Sequence, residues 1–245
     1  MIKVHGLVKS FGRQAVLRGV DLEVPDCSIT IIIGRSGGGK SVFLRHLLGL
    51  VRPDGGRIVI DGVEVTGLTG RALDRVRERY GVVFQGGALF DSLTCAGNVA
   101  FPLREKTRLT RAEIAARVAR GLEQVGLGDV GDKYPAEVSG GMRKRVAIAR
   151  ALVTEPAVVF FDEPTTGLDP ILVNTIHGLI GELHRRLRYT AVMVSHEIPE
   201  IFRLADAVAM LHEGRIVEIG RPEAIQASEN PIVRQFIRGE PEVRI

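Results

Sequence analysis

Gly34-Arg35-Ser36-Gly37-Gly38-Gly39-Lys40-Ser41 decides how the rest of the chain is read. The stretch fits G-x-x-x-x-G-K-[ST], a phosphate-binding loop, and its flanks supply the context that pattern needs. Upstream, Ile29-Thr30-Ile31-Ile32-Ile33 is rich in β-branched residues and predicts a buried strand. Downstream, Phe43, Leu44, Leu47 and Leu48 recur at helical spacing within 42–50. The glycines let the backbone curl until successive N–H groups point at phosphate oxygens. The positive end of the following helix strengthens the same field. Lys40 supplies a cation for the β- and γ-phosphates, and the Ser41 hydroxyl a hard oxygen for Mg²⁺.

Around this loop lie 245 residues, 45% hydrophobic and 25% charged, enough for one large domain or a core with a subdomain. The net charge of +4 suits a polyanionic ligand but is too small to argue for nucleic acid. No run of five or six like charges occurs, and basic residues do not interleave with aromatics. Cys27 and Cys95 make no metal spacing and read as two unpaired thiols of a reducing compartment. The start, Met1-Ile2-Lys3-Val4-His5, predicts no signal peptide, and no stretch has the ~20 apolar residues of a membrane span. The expectation is a soluble, cytoplasmic protein that reaches a membrane only through a partner.

Along the chain, residues 2–24 read as short strands, with half-exposed alternation in Val20-Asp21-Leu22-Glu23-Val24. Pro53-Asp54-Gly55-Gly56 marks a turn, Arg57-Ile58-Val59-Ile60 a strand, Asp61-Gly62 a hairpin turn, and Val82-Val83-Phe84 a further strand ending at Gln85. From about 86 to 155 the pattern becomes helical. Thr110-Arg111-Ala112-Glu113 is a capping box, behind which Ile114, Val118, Leu122 and Val125 form an apolar face closed by Gly126 and Gly128. A second helix starts near Ser139. The core resumes with strands at 157–161 and 191–194 around a helix over 171–187, then a late hairpin across His212-Glu213-Gly214. The tail, 222–245, reads as a mixed helical extension. Strands alternating with helices predict an α/β fold with a mostly parallel sheet and ligands at its carboxyl edge.

Five more places carry chemistry. Asp162-Glu163 ends a buried strand, where two carboxylates are costly unless they meet a cation or react. Asp162 can hold Mg²⁺ through water and Glu163 can polarise the water that attacks a γ-phosphate, although both also suit an ordinary loop. His196 follows the strand ending at Val194 and can donate to a phosphate oxygen, although a strand-end histidine is more often structural. Gln85 can offer its amide oxygen to Mg²⁺. Phe11 can stack on adenine or belong to the core. Ser139-Gly140-Gly141-Met142 opens a helix and reads equally as a second anion site or a plain serine cap.

Taken together, these stretches resemble an ATP-binding-cassette (ABC) ATPase over nearly the whole chain. Phe11 matches the A-loop, 34–41 the Walker A motif, Gln85 the Q-loop and 159–163 Walker B. Residues 138–142 match the signature motif, Gly167-Leu168-Asp169 the D-loop and His196 the H-loop. Val138 and Met142 stand where the signature usually has Leu and Gln. Arg35 and Gly38 are less usual loop residues. The resemblance implies a P-loop NTPase fold with an antiparallel β subdomain and an inserted helical subdomain. It also implies Mg²⁺-dependent ATP hydrolysis by Glu163, His196, Gln85 and Lys40, and Mg²⁺ ligation by Ser41, Gln85 and Asp162. A homodimer follows, in which Ser139, Gly140, Gly141 and Met142 serve the partner's nucleotide.

A narrower resemblance lies in Phe84-Gln85-Gly86-Gly87-Ala88-Leu89-Phe90-Asp91-Ser92-Leu93-Thr94, in Asn98-Val99-Ala100-Phe101-Pro102-Leu103-Arg104-Glu105, and in Ser195-His196-Glu197-Ile198-Pro199-Glu200. Ser139-Gly140-Gly141-Met142-Arg143-Lys144-Arg145-Val146 and Val233-Arg234-Gln235-Phe236-Ile237-Arg238-Gly239 extend it. These are similar to the Mce-linked (Mla-type) phospholipid transporter ATPases. What this implies is transport between the membranes of a Gram-negative-type envelope, at the cytoplasmic face of the inner membrane. The implied partners are a permease touching Ala88, Leu89 and Phe90, an Mce-type lipid-binding protein and a small regulatory subunit. The rival readings are an importer of amino acids or other polar solutes and a non-transport ABC ATPase. The latter usually shows paired cassettes, coiled-coil insertions or zinc ligands, which this sequence does not.

Overall fold

The computed structural model describes residues 1–240. In chain order it contains β1 (Ile2–Phe11), β2 (Gln14–Val24), β3 (Ile29–Ile33), α1 (Lys40–Leu47), β4 (Gly55–Ile60), β5 (Val63–Glu64), α2 (Gly70–Arg77), β6 (Tyr80–Val83), α3 (Cys95–Lys106), α4 (Arg111–Gln124), α5 (Gly140–Leu152), β7 (Val158–Asp162), α6 (Pro170–Leu187), β8 (Thr190–Val194), β9 (Ala207–His212), β10 (Arg215–Gly220), α7 (Pro222–Gln226) and α8 (Pro231–Arg238). They divide into two compact units. One is Met1–Arg77 with the chain from Thr190 onward, the other Glu78–Tyr189.

In the first unit, β2, β1, β4 and β5 form an antiparallel sheet in that order. Strands β1 and β2 run for 10 and 11 residues, longer than the short strands expected. Register shifts between Val4 and Leu7 and between Lys9 and Ser10 re-phase the alternation. Ile2, Val4 and Leu7 can therefore all be buried although they do not keep a strict period of two. The second sheet of this unit runs β10-β9-β3-β8. Strand β3 is central and parallel to both β8 and β9, and all five of its residues are buried. That environment explains the isoleucine-rich run, which only Thr30 interrupts. Helix α1 covers it with Phe43, Leu44 and Leu47, each 1% exposed. Helices α7 and α8 form the described part of the tail; residues 241–245, within the expected C-terminal extension, lie outside the described residues.

In the second unit, β6 and β7 pair in parallel, and α3, α4 and α5 pack on one another. Helix α4 opens with the expected capping box. Thr110 Oγ1 accepts from the Glu113 N–H at 3.3 Å, and Glu113 Oε2 accepts from the Thr110 N–H at 2.7 Å. It ends before Gly126, whose φ of 67° supplies the left-handed residue that stops a helix. Helix α5 buries Val146, Ala147, Ile148, Ala149 and Leu152, more than one face, which marks an interior helix. Two elements escaped the sequence reading. Helix α2 buries only Leu73, too little apolar signal to stand out. Helix α3 contains Pro102, a residue that argues locally against helix.

Candidate functional site

The phosphate loop follows directly from the first unit's sheet. Gly34 leaves β3 with φ 151°, and a Cβ there would sit 2.2 Å from the Leu211 carbonyl oxygen at the end of β9. Only glycine lets the chain turn this close to its neighbour strand. Lys40 then opens α1. Its side chain is buried, and its Nζ donates to the carbonyls of Gly34 at 2.7 Å and Arg35 at 2.8 Å. The ammonium is thereby held inside the loop. The N-terminus of α1 has no side-chain cap and no acidic residue in its first turn. Its N–H groups and positive dipole end face the loop without competition from a carboxylate. These features fit a polyphosphate, with Ser41, half-buried in the first turn, offering its hydroxyl.

Two other expected residues lie in the same unit. His196 is exposed just past β8, next to Ser195, whose N–H donates to Ile32 of β3 at 3.2 Å. Phe11 ends β1 with 49% of its surface exposed, and the Lys9 ammonium lies 5.3 Å from its ring centre. That ammonium is itself paired with Asp54 Oδ1 at 2.8 Å and the Arg52 carbonyl at 3.0 Å, and the exposed part of the ring is open for stacking.

The second unit holds the carboxylates. Strand β7 is buried from Val158 to Phe161 and delivers Asp162 and Glu163 half-buried at its end. Glu163 has φ 46°, an uncommon conformation for a residue with a Cβ. Its Oε2 accepts from Gln85 Nε2 at 3.3 Å and from Thr166 Oγ1 at 3.0 Å. Gln85 and Glu163 are thus brought together, although 78 residues separate them. Ser139 caps α5: its Oγ accepts from the Met142 N–H at 3.3 Å. The hydroxyl stays exposed beside Gly140, so the cap leaves it accessible to an anion. Asp169 caps α6, accepting from the Ile171 and Leu172 N–H groups at 3.0 Å each. Among the described residues, no three acidic, histidine or cysteine side chains gather as a metal site by themselves.

Around Gln85, Phe84, Phe90 and Phe101 are 39%, 44% and 38% exposed, and the last two rings meet tilted at 49° with centroids 4.8 Å apart. They border a 420 Å³ cavity also lined by Ala88, Pro102 and Arg150. Leu89 is half-buried and does not line it. Asn98 and Arg150 hold this segment, and the sequence reading missed both roles. Asn98, fully buried, accepts from the Phe90 N–H at 2.8 Å and donates to the carbonyls of Phe90, Leu93 and Thr94 at 3.0–3.1 Å. Arg150 donates to the carbonyls of Gly87 at 2.6 Å and Ala88 at 2.7 Å. Burial pushes the Arg150 guanidinium below its ordinary pKa, yet it remains a cation at any ordinary pH. Neither role has a side-chain signature in the sequence, because the partners are backbone atoms: for Asn98 those of the loop just before its own helix, for Arg150 those of a turn 62 and 63 residues upstream.

Comparison with known proteins agrees with this architecture. The ABC transporter family model matches residues 17–166. The chain is 41% identical over 238 residues to a protein described as a probable ribonucleotide transport ATP-binding protein, Mkl of Mycobacterium leprae strain TN. That match spans 97% of this chain and 69% of Mkl. It is also 41% identical over 228 residues to the intermembrane phospholipid transport system ATP-binding protein MlaF of Escherichia coli K12, spanning 93% of this chain and 85% of MlaF. Among solved structures it resembles the ATP-binding cassette MJ0796, in a dimeric post-hydrolysis state bound to ADP and Pi. The TM-score is 0.83 with 30% identity, over 91% of this chain and 99% of the other. With its P-loop α/β fold, this chain belongs to the ABC transporter family, as an ATPase subunit that uses ATP and Mg²⁺.

Proposed function

We propose that this ATPase drives a transporter of phospholipid between the membranes of a Gram-negative-type envelope. The observation that carries the reading is the likeness to MlaF across 85% of that protein's length. Likeness to Mkl, whose name concerns ribonucleotides, covers 69% of Mkl and supports a polar-solute transporter instead. The phospholipid reading also draws on the exposed aromatic segment after Gln85, which resembles the lipid transporter ATPases in sequence and borders the 420 Å³ cavity. In this reading Ala88, Leu89 and Phe90 meet the permease, and helices within about 86–155 form the subdomain that carries them. The remaining partners are an Mce-type lipid-binding protein and a small regulatory subunit. Residues of about 222–245 are a C-terminal extension. Among the described residues no helix is long and apolar enough to cross a membrane. The chain would sit at the cytoplasmic face of the inner membrane through its permease.

The reaction assigns a role to each residue. Phe11 stacks on adenine, and the backbone of 34–41 with Lys40 binds the phosphates. Ser41, Gln85 and Asp162 would hold Mg²⁺, which would neutralise the phosphate charge. Glu163 accepts a proton from the attacking water. His196 donates to the γ-phosphate, so charge that develops there meets donors already in place. A second copy contributes Ser139, Gly140, Gly141 and Met142 to the same nucleotide, with Asp169 at the junction. Ile171, 78% exposed just beyond Asp169, gives that junction an apolar contact.

The test is an affinity pull-down of the tagged chain from detergent-solubilised native membranes, with mass spectrometry of associated proteins and lipids. A permease accompanied by an Mce-type protein and phospholipid is the expected result. A permease with a soluble solute-binding protein would instead favour the polar-solute reading.

A further inference from the structure

We propose that Arg150 is a positioning residue for ATP hydrolysis: it fixes the turn that carries Gln85 and thereby sets the contact between Gln85 and Glu163. The inference rests on the roles given above to those two residues.

The turn after Gln85 is unusual. Gly86, Gly87 and Ala88 have φ of 78°, 84° and 46°, three left-handed residues in succession. Two glycines accept this conformation readily, but Ala88 carries a Cβ and must be held there. Arg150 supplies the restraint. From the last turn of α5 its planar fork reaches two adjacent carbonyls, Nη2 to Gly87 at 2.6 Å and Nη1 to Ala88 at 2.7 Å. Both bonds are short, and a rigid guanidinium loses little freedom in making the pair. A few residues on, Asn98 clamps Phe90, Leu93 and Thr94. The segment is therefore tied at both ends, once to α5 and once to α3.

Helix α5 gives the restraint its consequence. Ser139 caps one end of it and Arg150 projects from the other. Eleven residues of helix separate them by roughly 16 Å. A displacement of the Ser139 end, as when an anion binds there, is carried along the rigid helix to the Gly87 and Ala88 carbonyls. Gln85 is two residues from Gly87 and already donates to Glu163 at 3.3 Å. Pressure on exposed Ala88 and Phe90 enters the same turn from the other side. Arg150 thus ties an anion-facing helix end and an apolar docking patch to the side chain beside the base. The simpler role, holding the fold together, requires no link to Gln85, and that difference is measurable.

Four full-length proteins decide it: wild type, Gln85→Ala, Arg150→Lys and the double variant. Lysine keeps the charge but cannot hold two carbonyls in a fixed fork. ATP turnover is measured for each at a temperature well below its own melting midpoint. Arg150→Lys is expected to lower kcat about tenfold with KM for ATP changed less than about twofold, the loss of one charge-assisted bond. In the Gln85→Ala background the same substitution is expected to cost less than about twofold, because Gln85 is the group through which it acts. Arg150→Gln repeats the comparison should the lysine variant fail to fold. An equal loss in both backgrounds, or a lowered melting point with kcat intact, overturns the proposal. Normal turnover by Gln85→Ala alone overturns the role of Gln85 and the proposal with it. A slowed Gln85→Ala beside unaffected Arg150 variants overturns the proposal alone.

Discussion

Lys40 and Gly34 show how the loop is built from single residues. A lysine that is 5% exposed needs partners, and the carbonyls of Gly34 and Arg35 provide them. Gly34 provides the path. Gly34→Ala would place a methyl 2.2 Å from the Leu211 carbonyl oxygen in a backbone region that alanine disfavours. The expected cost is at least about 2 kcal/mol of stability, read by urea unfolding. An unchanged midpoint would mean the loop is not held against β9. At this scale the sequence shows residue types well and backbone geometry poorly. Lys40 and Ser41 at the start of α1, and Asp162-Glu163 at the end of β7, lie at the element ends where the sequence placed them, because their spacing is local. The left-handed Glu163 and its approach to Gln85 were not legible, because tertiary contacts create both.

Elements were legible where a β-branched run, a one-sided apolar face or a cap is written into the sequence. Strand β3, helix α4 with its capping box, and helix α6 after Asp169 fall where periodicity places them. Bulged β1 and proline-bearing α3 did not follow their local signals. What compensates in α3 is Asn98, which satisfies the loop before it. Asn98→Ala strands the Phe90 N–H and three carbonyls, and should lower stability by about 3 kcal/mol. Hydrogen exchange should show faster opening across 90–94, and unaltered exchange there would refute the clamp. Tyr189, between α6 and β8, governs alkaline behaviour. It is 2% exposed, its hydroxyl donates to the Ile180 carbonyl at 3.3 Å, and burial raises its pKa. The unfolded tyrosine ionises near pH 10, so its contribution is complete below that pH. It declines as pH rises toward the folded value, because the unfolded state releases its proton first. Tyr189→Phe should flatten the decline of stability above about pH 10 in denaturant titrations. An identical decline would assign it elsewhere.

For the molecule as a whole, the candidate residues are divided between the two compact units. The phosphate loop, Phe11 and His196 belong to one unit, and Gln85, Asp162, Glu163 and Ser139 to the other. The exposed phenylalanines at 84, 90 and 101 give the second unit an apolar surface beside the proposed permease contact. All of this depends on hydrolysis with Glu163 as the base. The most direct test is ATP binding and turnover by Glu163→Gln, which preserves shape and removes the proton acceptor. ATP affinity is expected to stay within about twofold of wild type while turnover falls at least about a hundredfold, the scale of a lost general base. Turnover near the wild-type rate would contradict the account.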